Sequence, residues 1–220
     1  MPRPALYVLA GVNGAGKSSI GGHLLTRKGL AWYNPDTYAR ELIALTGCTQ
    51  GEANAAAWQE GMRRLDAALA AGETYAFETT LGGNTVARKI AAASRTHDVM
   101  VWFCGLDTPE RHIARVRARV QAGGHDIPAD KIRERYDAAR LNLIALMPRL
   151  ARLHVYDNSQ DAAPGAGVAD PRLLLDMAQG RPRWPTAVDD LARTPEWAKP
   201  LVEAAMAGGG QAAPAPVPTS

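Results

Sequence analysis

Cysteine is nearly absent from this chain of 220 residues: it has two, Cys48 and Cys104, which form no C-x-x-C pair. No histidine stands at a zinc-ligand spacing, so neither a disulfide framework nor a zinc site is expected. Long apolar runs are also lacking. The run in "MPRPALYVLAG" is too short for a signal peptide, and no segment reaches the roughly 20 apolar residues of a membrane helix. These absences predict a cytoplasmic protein without a membrane partner.

The charge of the chain is close to balanced, with a net charge of +3 and a pI near 9.0 that come mostly from arginine. Hydrophobic residues make up 46% and charged residues 21%, which is ordinary for a globular protein. The small basic excess is weak evidence for nucleic acid. Arginine also grips phosphate with its planar fork, so a phosphate-handling enzyme explains the same excess and nucleic acid is not the expected partner.

Short apolar runs alternate with helical stretches along the chain. The runs that predict buried strands are "ALYVLA" (5–10), "LAWYN" (30–34), "TYAFETT" (74–80), "DVMVWFCGL" (98–106) and "RLHVYDN" (152–158). This alternation predicts an α/β fold with a parallel sheet of about five strands and helices on both faces. "RLLLDMA" (172–178) is a candidate edge strand. We expect one domain over residues 1–205 and a disordered tail, rich in Gly, Ala and Pro, over residues 206–220.

The stretch "GVNGAGKSS" (11–19) matches the phosphate-binding pattern G-x-x-x-x-G-K-[ST] between a predicted strand and a predicted helix. Its glycines allow backbone N–H groups to point at phosphates, and the helix adds its positive N-terminus. Lys17 would reach the β- and γ-phosphates, and Ser18 would bind Mg²⁺. The nucleotide-binding candidates are Gly11, Asn13, Gly14, Ala15, Gly16, Lys17, Ser18 and Ser19. The loop indicates a nucleoside triphosphate without naming the reaction.

Two further motifs follow predicted strands. Asp36, in "NPDTYAREL" (34–42), is expected beside the phosphate loop, where it could accept a proton from an attacking hydroxyl. The alternative is that Asp36 only caps the next helix. Glu78, Thr79 and Thr80, in "FETT" (77–80), could orient a sugar or hold a water on the magnesium, or could simply begin a turn. No apolar run ending in Asp and no "LSGGQ" signature is present, which argues against a motor or transporter ATPase.

Arginines flank a Gly-Gly-His-Asp loop in the segment 106–142. Thr108 and Pro109 begin one helix, and a second helix follows the loop. Two arginine-bearing helices joined by a flexible tip predict a lid over about residues 111–140, whose arginines would neutralise charge on a transferred phosphoryl group. The alternative is a solvated basic face.

The stretches "GVNGAGKSS", "NPDTYAREL", "FETTLGG", "RVRARVQAGGHDIPADKIRERY" and "VYDNS" occur in this order over about residues 5–159. In their order and spacing the chain resembles the zeta-toxin family of P-loop kinases. The resemblance implies a nucleotide-kinase-like fold with a helical lid, ATP and Mg²⁺ as cofactors, and phosphorylation of the 3′-hydroxyl of a UDP-N-acetyl amino sugar. It also implies a toxin that is silenced by a separate small helical antitoxin.

The same resemblance assigns roles to individual residues. It implies Asp36 as catalytic base, Lys17, Arg119 and Arg135 as the other catalytic groups, and Asn158 as a contact of the nucleotide base. The implied substrate contacts are Asn34, Asp36, Glu78, Thr80 and Arg119, and the metal ligand is Ser18. Thr79 stands where the longer toxins often have glycine, and the chain is shorter than theirs after the fifth predicted strand. A kinase of another hydroxyl (a nucleotide or an antibiotic) and an ATP-driven switch or nucleic-acid-associated ATPase remain the alternatives.

Overall fold

Six strands form one sheet in the computed structural model, which describes residues 2–18, 21, 25–26, 29–160 and 171–208. The strands are β1 (Ala5–Ala10), β2 (Tyr75–Thr79), β3 (Asp98–Gly105), β4 (Arg152–Asp157), β5 (Arg172–Ala178) and β6 (Arg181–Trp184). Their spatial order is β2-β1-β3-β4-β5-β6. The first four are parallel, as predicted, and β5 and β6 are antiparallel. The α/β class and the parallel sheet are therefore confirmed, and β5 and β6 extend that sheet by an antiparallel hairpin.

Seven α-helices connect or follow these strands in the described part of the chain. They are α1 (Pro35–Thr46), α2 (Gln50–Ala71), α3 (Asn84–Ala93), α4 (Pro109–Gln121), α5 (Ala129–Leu146), α6 (Val188–Ala192) and α7 (Lys199–Gly208). Local signals set several of the boundaries. Thr49 and Glu52 form a capping box at the start of α2, and Gly47 ends α1 in the left-handed conformation with φ 69°.

The strands are buried on both faces of the sheet. On one face, Leu6, Val8, Val101 and Phe103 pack with apolar residues of α2, α3, α4, α5 and α7 in the main core. On the other face, Leu9 and Trp102 pack with Leu25 and Trp32 of the segment that follows the phosphate loop. A Cβ at Gly21 would lie 2.0 Å from a methyl carbon of Leu9. Close packing of that segment therefore covers the second face above β1.

The predicted strand over residues 30–34 is wrong. Only Tyr33 pairs with the sheet, through an isolated bridge to Phe77. Asn34 already serves as the N-cap of α1, and Pro35 cannot extend a ladder of backbone hydrogen bonds. The segment can therefore contribute one bridging residue at the margin of β2, while Leu30 and Trp32 pack on the second face of the sheet.

A hairpin at the far end of the sheet corrects another prediction. Strand β5 was expected at the edge, but β6 pairs with it and takes that place. The two-residue connection, Gln179 and Gly180, has positive φ at both positions, 53° and 70°. A two-residue hairpin turn with positive φ at both positions matches the twist of the strands that it joins, and its residues are usually Asn-Gly or Asp-Gly.

The C-terminal helix α7 continues to Gly208 and therefore includes the first three residues of the predicted tail, 206–208. Residues 209–220, which make up the rest of that tail, and most of the predicted helix after the phosphate loop lie outside the described residues. Every helix in the described ranges is too short or too polar to cross a bilayer.

Candidate active site

The phosphate loop connects β1 to a helical turn that begins at Lys17 and Ser18. Gly11, Gly14 and Gly16 all have positive φ, at 140°, 82° and 84°. A Cβ at Gly11 would lie 2.1 Å from the carbonyl oxygen of Cys104, and one at Gly16 would lie 2.5 Å from Nδ2 of Asn158. Glycine is therefore required at both positions by conformation and by space.

Buried groups from distant parts of the chain hold the loop from behind. The Cys104 thiol and the Asn158 amide both donate to the carbonyl of Ala15, over 3.0 and 2.9 Å. Nδ1 of His112 lies 2.8 Å from the carbonyl oxygen of Asn13. Asn158 was predicted to contact the nucleotide base; here its amide supports the loop, and the base contact stays a prediction.

Burial shifts the pKa of two of these groups and keeps both neutral. It raises the pKa of the Cys104 thiol to about 12, against the opposing field of the Lys17 ammonium. It lowers the pKa of His112 to about 4, against the favourable hydrogen bond to Asn13. Neutral His112 therefore donates one N–H to the loop without adding charge beneath it.

A buried polar cluster lies in front of the loop. Nζ of Lys17 is 3.4 Å from Oε1 of Glu78, and these two side chains are only 7% and 8% exposed. The Ser18 hydroxyl donates to Oε2 of Glu78 over 2.9 Å, and the Asn34 amide donates to the same oxygen over 3.1 Å. Glu78 therefore holds the lysine and the hydroxyl where the motif requires them, a role that its assignment as a substrate contact did not include.

The same cluster suits a magnesium ion. Mg²⁺ prefers hard oxygen ligands and usually takes one or two from the protein, with phosphate oxygens and waters completing the shell. The Ser18 hydroxyl and the Glu78 carboxylate offer two such oxygens side by side. These two residues would hold the ion, which when bound would neutralise charge on the phosphate oxygens.

Asp36 lies in the first turn of α1, where Asn34 and not Asp36 is the N-cap. Oδ1 of Asn34 accepts from the backbone N–H groups of Asp36 and Thr37. The interpretation of Asp36 as a helix cap is therefore wrong, and its carboxylate is available to other groups. Its Oδ2 lies 3.5 Å from a guanidinium nitrogen of Arg119, and its Oδ1 lies 3.8 Å from Nε2 of His125.

The two arginines implied by the family resemblance reach the site from different helices. Arg119, near the end of α4, pairs with Asp36 and also donates to the carbonyl of His125 over 3.3 Å. Arg135, on α5, donates to Oδ1 of Asn13 in the phosphate loop over 2.8 Å. Arg111 and Arg133 instead form ion pairs with acidic side chains outside this cluster.

The stems of the predicted lid belong to the main core. Ile113 and Val116 of α4 are buried there, as are Ile132 and Leu143 of α5. Asp36 is approached by Arg119 at the end of α4 and by His125 of the tip between the two helices, residues 122–128.

A cavity of about 570 Å³ extends from the phosphate loop to Asp36. Of the predicted site residues, it is lined by Asn13, Lys17, Asn34, Asp36, Glu78, Thr80 and Arg135. Arg119 reaches it through its pairing with Asp36. Gly11, Ala15 and Gly16 belong to the loop and do not line the cavity, Asn158 supports the loop through Ala15, and Ser19 lies outside the described residues.

Sequence reasoning missed several residues of this site. His112 and Cys104 support the loop, His125 faces Asp36, and Trp58 and Met62 of α2 line the cavity. His125 belongs to the Gly-Gly-His-Asp loop of the predicted lid, and the other four residues belong to no short motif with a fixed spacing. The contacts of His112 and Cys104 with the loop span 99 and 89 residues of sequence, so no local pattern indicates them.

Comparison with solved structures agrees with this fold. The AvrRxo1-ORF1:-ORF2 structure with ATP matches with a TM-score of 0.64 and 14% identity, covering 93% of this chain and 64% of that chain. The PezAT chromosomal toxin–antitoxin system of Streptococcus pneumoniae matches with a TM-score of 0.52 and 14% identity, covering 71% and 68%. The chain therefore shares the fold of these two structures.

Comparisons of sequence add little to this assignment. No family model matches the chain. An uncharacterized protein of Haemophilus influenzae is 33% identical over 63 residues, which are 28% of this chain and 45% of that relative. The chain thus spans less than half the length of this curated relative.

Proposed function

We propose that this protein is an ATP-dependent phosphotransferase that phosphorylates an alcohol, specifically the 3′-hydroxyl of a UDP-N-acetyl amino sugar. One observation supports it above the others: the Asp36 carboxylate lines the same cavity as Lys17 of the phosphate loop. A base and a phosphate-binding lysine that face one space of about 570 Å³ leave room for an acceptor between them.

The proposed reaction divides the work among the residues of the site. Lys17 and the backbone of the loop hold the β- and γ-phosphates of ATP. Asp36 accepts the proton of the acceptor hydroxyl as that oxygen attacks the γ-phosphorus and ADP leaves. Arg119 and Arg135 neutralise negative charge on the transferred group, and Asn34, Glu78 and Thr80 orient the acceptor. In the free protein Arg119 pairs with Asp36, so acceptor binding must exchange that contact.

The toxin role and the partner belong to the same proposal. The two similar structures reported above each contain a pair of different proteins. One is described as a toxin–antitoxin system, and the other as ORF1 with ORF2. By this likeness we propose that a separate small antitoxin protein binds this chain and silences it.

Incubation with Mg-ATP and UDP-N-acetylglucosamine, read by ³¹P NMR, tests the reaction. Wild-type protein is expected to produce ADP and a new phosphomonoester signal. Asp36→Asn should reduce transfer by at least about 100-fold, because an amide accepts no proton, while ATP binding stays within a few-fold. Expression of the wild type, but not of Asp36→Ala, is expected to slow growth.

Glu41→Gln is the matched control, since it neutralises an exposed carboxylate on the same helix α1. It should transfer phosphate at the wild-type rate. Transfer to other nucleotides or to antibiotics, with UDP-N-acetylglucosamine inert, would refute the acceptor and keep the kinase. ATP turnover that is stimulated by DNA or a partner and indifferent to Asp36→Asn would instead identify an ATP-driven switch.

A further inference from the structure

One face of helix α2 lines the cavity. Asn54, Trp58 and Met62 follow one another at intervals of four residues and all line the cavity. Residues four apart share a face of an α-helix, so the three side chains form one continuous strip beside the site. We call Asn54, Trp58 and Met62 the α2 strip.

Trp58 is unusual because its side chain is large, flat and 53% exposed. The other large apolar side chains exposed in the described residues are Leu45, Leu141, Trp184, Val188 and Leu191, and none of them lines this cavity. An indole that faces an open cavity next to a catalytic carboxylate offers a ready contact surface to a ligand.

The chain fixes the orientation of the α2 strip through Tyr33. The Tyr33 hydroxyl donates to the carbonyl of Ala57 over 2.6 Å. A Cβ at Gly61 would lie 2.8 Å from the Tyr33 ring, so the helix sits directly on that ring. Tyr33 is itself bridged to β2, which carries Glu78. Trp58 is therefore held at a set position relative to the phosphate loop.

We propose that Trp58 is the stacking platform for an aromatic base of the acceptor, which makes the acceptor a nucleotide or a nucleotide sugar. Every base has a π-face that an indole can cover, and the contribution of such a stack is sizeable. Asn54, one turn before Trp58, carries an amide with both donors and an acceptor for the edge of the base. This inference rests on the proposed function and adds to it the residue that binds the base of the acceptor, a contact that no motif includes.

Binding of base-bearing probes tests the platform. Wild-type protein is saturated with Mg²⁺ and a non-hydrolysable ATP analogue, which fills the donor side, and is then titrated by calorimetry. The probes are UDP-N-acetylglucosamine, UDP and N-acetylglucosamine 1-phosphate. Trp58→Ala is expected to weaken the binding of UDP-N-acetylglucosamine and of UDP at least about tenfold. Trp58→Phe is expected to bind both within a few-fold of the wild-type affinity. The affinity for the ATP analogue should not change.

Trp184→Ala is the matched control, because Trp184 is an exposed tryptophan on β6 that does not line the cavity. It should leave the affinity for all three probes unchanged, and thermal melting verifies that each variant is folded. The inference is overturned if Trp58→Ala binds UDP as the wild type does. It is equally overturned if only the base-free probe depends on Trp58, or if neither these probes nor ADP, CDP and GDP bind.

Failure of this inference is distinguishable from failure of the proposed function. Phosphoryl transfer to an acceptor without a base, unaffected by Trp58→Ala, overturns the platform and keeps the kinase. Binding of UDP that depends on Trp58, with no transfer to any acceptor, supports the platform and refutes the kinase.

Discussion

His112 supports the phosphate loop from the core side with a neutral imidazole. Its Nδ1 lies 2.8 Å from the carbonyl oxygen of Asn13, while its Nε2 is buried without a hydrogen-bond partner. The Tyr136 ring stands edge-on against it, with the ring centroids 5.7 Å apart. A proton on Nε2 would therefore place a charge in an apolar site next to the loop.

This burial predicts a pH-dependent loss of stability. The pKa of His112 is lowered from 6.5 to about 4, so the unfolded chain takes up a proton that the native chain refuses. The free energy of unfolding should therefore fall as the pH drops from about 6.5 to about 4, by roughly 2–3 kcal/mol from this group. Urea denaturation at a series of pH values measures it.

His112→Asn is the comparison variant, because its amide can donate to Asn13 and does not titrate. Its free energy of unfolding should depend less steeply on pH over the same window, whatever its absolute stability. Parallel curves for the two proteins would show that His112 does not carry the effect.

Individual residues of the site differ in how far the sequence predicts them. Lys17, Ser18 and the loop glycines are predictable because the local backbone alone builds the cradle. Trp58 is not, because its role depends on how α2 sits on Tyr33, a contact between elements. Glu78 was predicted at the correct sheet edge, but its pairing with Lys17 depends on the order of the strands.

Helices α4 and α5 carry their arginines on stems that are packed into the core. Because the stems are fixed, the position of Arg119 is set by α4 and by its contact with the tip at His125. Arg117, two residues earlier on the same helix, is exposed. Arg117 and Arg119 thus carry the same charge on the same helix, but Arg119 contacts Asp36 whereas Arg117 faces solvent.

This difference predicts unequal effects of two alanine substitutions. Arg119→Ala should lower kcat for phosphoryl transfer by at least about 100-fold, since it removes a donor aimed at developing negative charge. Arg117→Ala should stay within about twofold of the wild type. Steady-state kinetics with the acceptor proposed above measure both, and equal losses in the two variants would refute the proposed role of Arg119.

Helix and strand types were predictable for most elements, because apolar runs and caps are local signals. The failures have a common physical cause. The segment 30–34 is apolar enough for a strand, but the helix that starts at Pro35 leaves it only one bridging residue. Strand β6 is short, and the Gln-Gly turn that joins it to β5 lacks the usual Asn or Asp. No local sequence signal therefore predicts this strand.

At the scale of the whole molecule, the site lies between β1, β2 and the helices that cover them. Lys17 and Glu78 form a buried ion pair at the phosphate loop, in which each charge balances the other. Removal of either side chain would leave the other as an unpaired buried charge, which destabilises the folded protein. Ligand binding at the cradle should therefore affect the stability of the entire domain.

Mg-ATP at about 100 times its Kd is expected to raise the melting temperature by roughly 5–10 °C, from about 2.7 kcal/mol of linkage in a domain of this size. Asp36→Asn should retain this increase, because the proposed role of Asp36 concerns the acceptor and not ATP. Lys17→Ala should lose most of it. Differential scanning calorimetry makes the comparison, and an equal increase in Lys17→Ala would contradict the position of ATP in this loop.

The two margins of the sheet are both interrupted. On one side Tyr33 occupies backbone groups of Ala76 and Glu78, and on the other β6 is four residues long and includes Arg181, Pro182 and Arg183. A foreign strand finds no long row of free amides and carbonyls at either margin, and the arginines add repulsion between copies. We therefore expect neither margin of the sheet to offer a ready template for a strand of a second copy.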